Sequence, residues 1–197
     1  MADHAGLAQR QVAGDAGEAQ PAQALDGADR HRAVDDGGAG ARGPFAVTAV
    51  PAVDGFGDPQ VSWVVAADGE RILHGGDTLF HGAWWSIATR VGPIDTAFLP
   101  INAAVCSFPH RQPPSPFPAT LDPAHAVAAA QLLRAGRVVP IHYGAIDGPP
   151  VYAPRRDALP ELLRTAAEHG VPVAVVAPGD SVPAACAVRA ARAAAAG

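Results

Sequence analysis

The sequence predicts an α/β fold in which helices pack on a mixed β-sheet, preceded by a disordered N-terminal segment. Two observations carry this prediction. Strand-length runs of β-branched and aromatic residues begin at Phe45, whereas residues 1–43 contain no Phe, Tyr, Trp or Ile. Further along the chain, stretches with helical spacing of apolar residues alternate with short strand-like runs. This alternation is typical of helices packed on a sheet.

The composition indicates one packed domain flanked by two tails. The chain has 197 residues, of which 49% are hydrophobic and 17% charged, and this suffices for a single core. Residues 1–43 lack the side chains whose burial would offset the entropy of ordering, so we expect a disordered tail there. We place the folded domain at residues 44–180 and an alanine-rich C-terminal tail at residues 181–197.

Charge and composition argue against several functional classes. The net charge is −5, and the 14 basic residues are all arginines that form no cluster, which argues against nucleic-acid partners. Cys106 and Cys186 lack the close spacing of a metal-binding pair. No secretory leader pattern opens the chain, and no apolar run reaches the roughly 20 residues of a membrane span. We therefore expect a cytoplasmic, reduced protein.

The predicted sheet begins with antiparallel strands and continues with alternating helices and strands. Runs at Phe45–Val50 and Val61–Ala67 have strand length, and Asp68-Gly69 leads into a third run at Arg71–His74, as in a β-hairpin. The later predicted elements are a helix from Leu79 that ends at Gly92-Pro93, a strand at Thr96–Ile101, a proline-rich loop at Pro109–Pro118, a helix from Pro123 to Arg134, a strand at Val138–Ile141, a helix around Leu159–Ala167 and a strand at Val173–Ala177.

Two polar side chains follow predicted strands where a ligand-binding crevice forms. In an open α/β sheet, the loops after the carboxyl ends of strands line that crevice. Gly75 and Gly76 allow a tight turn that presents the Asp77 carboxylate, and His142 follows the strand Val138–Ile141 in the same way. A carboxylate and an imidazole at one rim suit a divalent metal ion such as zinc.

Each of these side chains also has a structural interpretation. Asp77, together with Thr78, is placed to cap a helix that begins at Leu79, and such caps are common. For His142 the alternative is a buried imidazole bonded to a backbone carbonyl. The chemistry of the two residues does not decide between the two interpretations.

Five short motifs, taken in order, resemble the second half of the metallo-β-lactamase fold superfamily of metal-dependent hydrolases. The resemblance extends from Phe45 to about Gly179, and it is to the branch that contains ascorbate-6-phosphate lactonase and the N-acyl phosphatidylethanolamine phospholipase. The motifs are Val47-Thr48-Ala49-Val50-Pro51-Ala52, Ser62-Trp63-Val64-Val65 with Asp68-Gly69, Gly76-Asp77-Thr78, Phe98-Leu99-Pro100-Ile101 and Val139-Pro140-Ile141-His142-Tyr143-Gly144.

The resemblance implies the second half of an αββα sandwich and a hydrolytic metal site. In the family, the Gly-Asp-Thr aspartate bridges two metal ions and the Pro-x-His-Tyr histidine binds the second. These roles pass to Asp77, which is also the catalytic residue, and to His142. The implied cofactor is zinc, with manganese or iron as alternatives. The implied reaction is the attack of a metal-activated water on an ester, lactone or phosphodiester of a small-molecule substrate.

The sequence departs from the family at two places. The His-x-His-x-Asp-His motif, which supplies most ligands of both metals, is absent, and His4 and His31 stand alone. Where the family usually has a further histidine, this chain has Asp54, which is either a third ligand or a turn aspartate before glycine. We therefore expect impaired activity. The alternative is a truncated, non-catalytic relative that acts as a binding module.

Other side chains are candidates for contacts with substrate. His81, shortly after Asp77, and His110, at the head of the proline-rich loop, are the candidate substrate-binding groups. Trp84 and Trp85 are expected in the core, with a stacking platform as the alternative. Because the complete fold packs two sheets face to face and this chain has strands for little more than one, we also expect an exposed sheet that favours a homo-oligomer.

Overall fold

The computed structural model describes residues 39–42, 44–54 and 60–185. In these ranges the chain forms an α/β domain with a mixed sheet, which confirms the predicted class. In chain order the elements are β1 (Ala39–Arg42), β2 (Phe45–Pro51), β3 (Val61–Ala67), β4 (Glu70–His74), α1 (Trp84–Val91), β5 (Thr96–Pro100), β6 (Val105–Cys106), α2 (Pro123–Leu132), β7 (Val138–Ile141), β8 (Tyr152–Ala153) and α3 (Ala158–Glu168).

The main sheet has six strands in the order β1-β2-β3-β4-β5-β7. The pairs from β1 to β4 are antiparallel, whereas β4–β5 and β5–β7 are parallel. Parallel neighbours need a crossover connection, and α1 and α2 lie in these two crossovers. As a result, the carboxyl ends of β4, β5 and β7 meet at one edge of the sheet.

The helices cover one face of the sheet and form the core with it. Leu73 of β4, Leu99 of β5 and Val138 of β7 are fully buried against Ile87 of α1 and Leu162 of α3. Burying one side chain of this size contributes about 1.5–3 kcal/mol to folding. The core therefore fixes β4, β5 and β7, the three strands whose ends meet at the same edge.

The opposite face of the sheet carries exposed apolar side chains. Side chains alternate between the two faces of a strand, and the register pairs Trp63 with His74 and Ile72 with Val65 on this face. Phe45, Trp63 and Ile72 are 47%, 46% and 39% exposed. We call this surface the open face. The described residues thus leave uncovered the face that the sequence analysis expects to be exposed.

The predicted helix from Leu79 begins only at Trp84, so the prediction is wrong for its first five residues. The backbone N–H of Leu79 donates to the carbonyl of Val53 at 2.7 Å, and this bond holds the segment as a loop against the end of β2. Asp77 therefore does not cap a helix that begins at Leu79.

The predicted strand Val173–Ala177 is reduced to a single parallel bridge between Val173 and Val138. The Val138 N–H donates to Pro172 and the Ala174 N–H donates to Val138, but the next donor on β7 would be Pro140. Proline has no N–H, so the ladder stops there.

Three short strands were not predicted. β1 lies within residues 1–43, which the sequence analysis assigns to a tail. This strand forms without apolar side chains, because its pairing with β2 uses only backbone groups. The rest of that predicted tail, residues 1–38, lies outside the described residues, as does most of the predicted C-terminal tail. β6 and β8 form a separate antiparallel sheet of two strands. With two residues each, they carry no periodic pattern that a sequence could show.

Candidate functional site

Asp77 and His142 lie side by side at the edge where β4, β5 and β7 end. Asp77 follows β4 and His142 follows β7. The imidazole Nδ1 of His142 is 2.8 Å from Oδ1 of Asp77, and the two side chains are 35% and 58% exposed. The structure thus brings together the two residues that the sequence predicts as metal ligands.

Unusual backbone conformations present both side chains. Gly76 has φ = +64° and His142 has φ = +59°, a left-handed conformation that costs a non-glycine residue roughly 1–2 kcal/mol. Gly75 packs so tightly against β5 that an added Cβ would lie 3.2 Å from the carbonyl oxygen of Phe98. The buried hydroxyl of Ser62 donates to the Gly75 carbonyl at 2.8 Å. The Asp77 loop is therefore held in one shape.

The electrostatics of the pair favour an ionised carboxylate. The hydrogen bond from His142 lowers the pKa of Asp77 and outweighs burial, which acts in the opposite direction. At the end of β4, burial lowers the pKa of His74, and the nearby charge of His142 adds to this effect. Asp77 is consequently a carboxylate at neutral pH, the form that binds a metal ion.

The donor set fits a divalent metal ion in part. One carboxylate and one imidazole are ligands that zinc, manganese and iron all accept. Within residues 39–42, 44–54 and 60–185, no group of three His, Cys, Asp or Glu side chains is placed to hold a metal. The described part of the chain therefore brings together two candidate ligands, one fewer than a catalytic zinc site normally has.

Asp54 lies on a loop that is tied to the Asp77 loop. The Val53 N–H donates to the Thr78 hydroxyl at 3.2 Å, in addition to the bond between Leu79 and the Val53 carbonyl. Burial raises the pKa of the Cys106 thiol, and the carboxylates of Asp77 and Asp54 raise it further. Asp54 thus contributes negative charge to the same region, and its role as a ligand stays a prediction.

A pocket of about 290 Å³ opens beside the pair. Its lining includes Asp77 and His142, the apolar side chains of Ala145 and Ile146, and Tyr152. The sequence analysis missed the last three residues. Tyr152 lies in a Gly- and Pro-rich stretch without periodicity, so no local signal points to it.

The two predicted substrate-binding histidines lie apart from this pocket. His81 is half-buried, stacks on Trp84 with ring centres 4.5 Å apart, and accepts the Ala83 N–H at Nδ1. His110 is exposed and stacks on Phe108. Neither residue is part of the pocket lining, so their substrate-binding role stays a prediction. Trp84 is fully buried, as expected, whereas Trp85 is 57% exposed, so the prediction of a core position is wrong for that residue.

The Tyr152 hydroxyl is held by a buried polar network. Asn102 Nδ2 donates to the Tyr152 oxygen at 2.6 Å, and Asn102 Oδ1 accepts from the Thr120 hydroxyl at 2.8 Å. Burial and the negative charge of Asp77 raise the pKa of the Tyr152 phenol, although the bond from Asn102 lowers it. The phenol is therefore protonated at neutral pH and able to donate.

A larger cleft of about 720 Å³ lies on the other side of His142, between β7 and residues 175–182. Its walls are mainly apolar and include Phe98, Val139, Ile141 and Val175. Asp77 and Tyr152 are absent from its lining. We therefore assign the chemistry to the smaller pocket, where the ionisable and hydroxyl groups converge.

The sequence matches the family described as "Beta-lactamase superfamily domain" over residues 4–143. It is 30% identical over 130 residues to a UPF0173 metal-dependent hydrolase of Thermococcus kodakarensis, which covers 66% of this chain and 48% of that relative. The chain spans about half the length of the curated relatives that it matches.

Solved structures share the fold at low sequence identity. The metallo hydrolase Igni18 of Ignicoccus hospitalis superimposes with a TM-score of 0.55 at 24% identity, covering 74% of this chain and 57% of that one. CmlA, a diiron β-hydroxylase of Streptomyces venezuelae, gives a TM-score of 0.56 at 15% identity, covering 70% of this chain and 31% of that one. At these identities, the likeness shows the fold alone.

Proposed function

The chain belongs to the beta-lactamase superfamily, and from this premise we propose that it is a metal-dependent hydrolase of an ester, lactone or phosphodiester in a small-molecule substrate. The observation that carries the proposal is the contact of 2.8 Å between Asp77 and His142 at the edge where three parallel strands end. Similar proteins named as metal-dependent hydrolases support the reaction class.

Asp77 and His142 are the proposed metal ligands of the described residues. Zinc is the proposed ion, with manganese or iron as alternatives, since the same fold occurs in a diiron enzyme. When bound, such an ion polarises a substrate oxygen and lowers the pKa of a water molecule toward about 7. The chain's own contribution is to fix the carboxylate and the imidazole at one rim and to keep Asp77 ionised.

We place further ligands at the start of the chain. The family match begins at residue 4, so it extends into the segment that the sequence analysis assigns to a tail. His4 is the first residue of this match, and we propose it as a further ligand. We propose that this chain holds its metal weakly and hydrolyses slowly, because only Asp77 and His142 come together as ligands within the described residues.

Metal analysis after dialysis tests this proposal. We expect at most one metal ion per chain, lost in Asp77→Ala and in His142→Ala but retained in His125→Ala, which removes an exposed histidine of α2. Each lost ligand or supporting contact costs roughly tenfold or more in metal affinity. Two tightly held ions per chain, or an ester hydrolysis rate unchanged in both ligand variants, would mean that the active site lies elsewhere.

The second candidate function is a non-catalytic binding module. It is favoured by the small number of ligands within the described residues. Ester and phosphodiester hydrolysis by the zinc-loaded chain decides between the two functions. Metal binding that depends on Asp77 and His142, without turnover above the rate of free zinc, would identify the binding module.

We also propose a cytoplasmic protein that self-associates and has no nucleic-acid partner. Cys106 is a buried free thiol, as expected in a reducing compartment. None of the helices within the described ranges has the length and apolar character needed to cross a membrane.

The open face, with Phe45, Trp63 and Ile72, is the proposed contact between copies. Sedimentation should show dimers or larger species that Trp63→Glu dissociates, and a monodisperse monomer at high concentration would contradict this.

A further inference from the structure

We infer that the hydroxyl of Tyr152 donates a hydrogen bond to an oxygen of the substrate group that is attacked, and that Asn102 and Thr120 position this hydroxyl. The acceptor is the carbonyl oxygen of an ester or lactone, or a non-bridging oxygen of a phosphodiester. The inference rests on the proposed function and adds to it a substrate-contacting residue from β8.

The direction of each bond in the network leaves the Tyr152 proton free. The Thr120 hydroxyl accepts the Ala104 N–H at 3.3 Å and donates its own proton to Oδ1 of Asn102 at 2.8 Å. The amide nitrogen of Asn102 must then face Tyr152, and an amide NH₂ only donates. The phenolic oxygen is therefore the acceptor of the 2.6 Å bond. Within the described part of the chain, its proton has no acceptor.

The network is rigid and belongs to the same edge of the sheet as the ligand pair. Asn102 and Thr120 are 1% and 4% exposed. Asn102 follows β5, the strand between β4 and β7, and its backbone carbonyl accepts the Arg155 N–H at 2.7 Å. On the other side, the backbone of Tyr152 bonds to Gly148 in both directions at 2.9 Å. The hydroxyl is thus fixed relative to the ends of three adjacent strands.

The pocket gives this hydroxyl a role in the reaction. Tyr152 shares the lining with Asp77 and His142, while Ala145 and Ile146 offer only apolar contacts. Attack on a carbonyl or phosphoryl group builds negative charge on an oxygen. A neutral donor held at a fixed position stabilises that charge without reorganisation, and it does so more in the transition state than in the ground state.

The decisive comparison is between Tyr152→Phe and Tyr143→Phe, each of which removes one phenolic oxygen from the full chain. Tyr143 lies outside the lining of the smaller pocket. With zinc-loaded protein and p-nitrophenyl acetate, we expect Tyr152→Phe to lower kcat about 10²-fold with little change in KM. Tyr143→Phe should leave kcat within twofold. Metal content should stay the same in Tyr152→Phe, whereas its melting temperature should fall by about 2–12 °C, because the buried Asn102 amide loses its acceptor.

Two further measurements separate this inference from the proposed function. Inorganic phosphate, an oxyanion probe that needs no turnover, should bind the zinc-loaded Tyr152→Phe variant about tenfold more weakly than the parent. The double variant Asn102→Ala/Tyr152→Phe should lose no more activity than Tyr152→Phe alone, because Asn102 acts through the hydroxyl.

The outcomes are distinct. If the parent chain hydrolyses neither an ester nor a phosphodiester but Tyr152→Phe weakens phosphate binding, the proposed function fails and Tyr152 remains an oxyanion donor. If the parent is active and Tyr152→Phe changes neither kcat nor phosphate affinity, the proposed function stands and this inference is wrong. A parent without turnover and without phosphate binding overturns both.

Discussion

Replacing Ser62 by alanine tests whether the buried hydroxyl under the Asp77 loop determines the stability of the site. Ser62 is 1% exposed, and its Oγ donates to the Gly75 carbonyl at 2.8 Å. Removing one partner of a buried hydrogen bond costs about 1–3 kcal/mol. In a protein of this length, 1 kcal/mol shifts the melting temperature by about 2–4 °C, so Ser62→Ala should lower Tm by about 2–12 °C.

The same change should also weaken metal binding, because Gly75 leads through Gly76 into Asp77. Loss of a contact that supports a ligand typically costs about tenfold or more in metal affinity. The assays are differential scanning calorimetry and competition titration with a zinc chelator.

Ser86→Ala is the matched control for this substitution. The Ser86 hydroxyl also donates to a backbone carbonyl, that of Ala83 at 3.0 Å, but it is exposed to solvent. Its removal should change stability by less than about 0.5 kcal/mol. Equal shifts in Tm for the two serine variants, or unchanged zinc affinity in Ser62→Ala, would refute the argument.

Three further substitutions test the core, the turn and the thiol. Leu162→Ala, at a fully buried position of α3, should lower the free energy of unfolding in urea by about 2–5 kcal/mol. Leu163→Ala, at a neighbouring position that is 45% exposed, should lower it by less than about 0.5 kcal/mol. Similar losses in the two variants would mean that α3 does not bury the face assigned to it. Gly76→Ala should lower the free energy of unfolding by about 1–2 kcal/mol. The cost comes from φ = +64° alone, because no atom lies within 4 Å of the added Cβ. An unchanged stability would contradict the left-handed turn at Gly76. Burial raises the pKa of the Cys106 thiol, so the thiol stays protonated. In a Cys186→Ser background, iodoacetamide at pH 8 should therefore label the native chain far more slowly than the unfolded chain. Equal labelling rates would show that Cys106 is an accessible thiolate.

Local patterns in the sequence predict most of the fold, and the errors have physical causes. The strand Val138–Ile141 agrees with the structure at both ends. The helix at Leu79 fails because a bond to Val53, 26 residues away in sequence, holds the segment as a loop. The predicted strand Val173–Ala177 does not form, because Pro140 on its partner strand has no N–H to continue the ladder. The sequence shows this proline, but its effect can be predicted only when the partner strand is known.

Only some residues of the candidate site can be predicted from the sequence. Asp77 and His142 follow predicted strands and lie in short motifs, so they are found without a structure. Asn102 and Tyr152 lie 50 residues apart, and one is a buried amide while the other lies on the two-residue strand β8. The parallel order β4-β5-β7 brings Asp77, Asn102 and His142 to one edge, and the bond from Asn102 holds Tyr152 beside them.

The position of Asn102 on the middle strand makes metal binding and substrate orientation separable. Asp77 and His142 follow the outer two of the three parallel strands, and their side chains meet at the proposed metal position. Asn102 follows the middle strand, but its amide is hydrogen-bonded to Thr120 and Tyr152. It therefore positions the Tyr152 hydroxyl at the same edge and does not compete for the proposed metal ion. A substitution at Asp77 therefore removes a ligand and leaves the hydroxyl in place, whereas a substitution at Tyr152 removes the donor and leaves both ligands in place. Changes at these two positions must affect different quantities, metal affinity in the first case and kcat in the second.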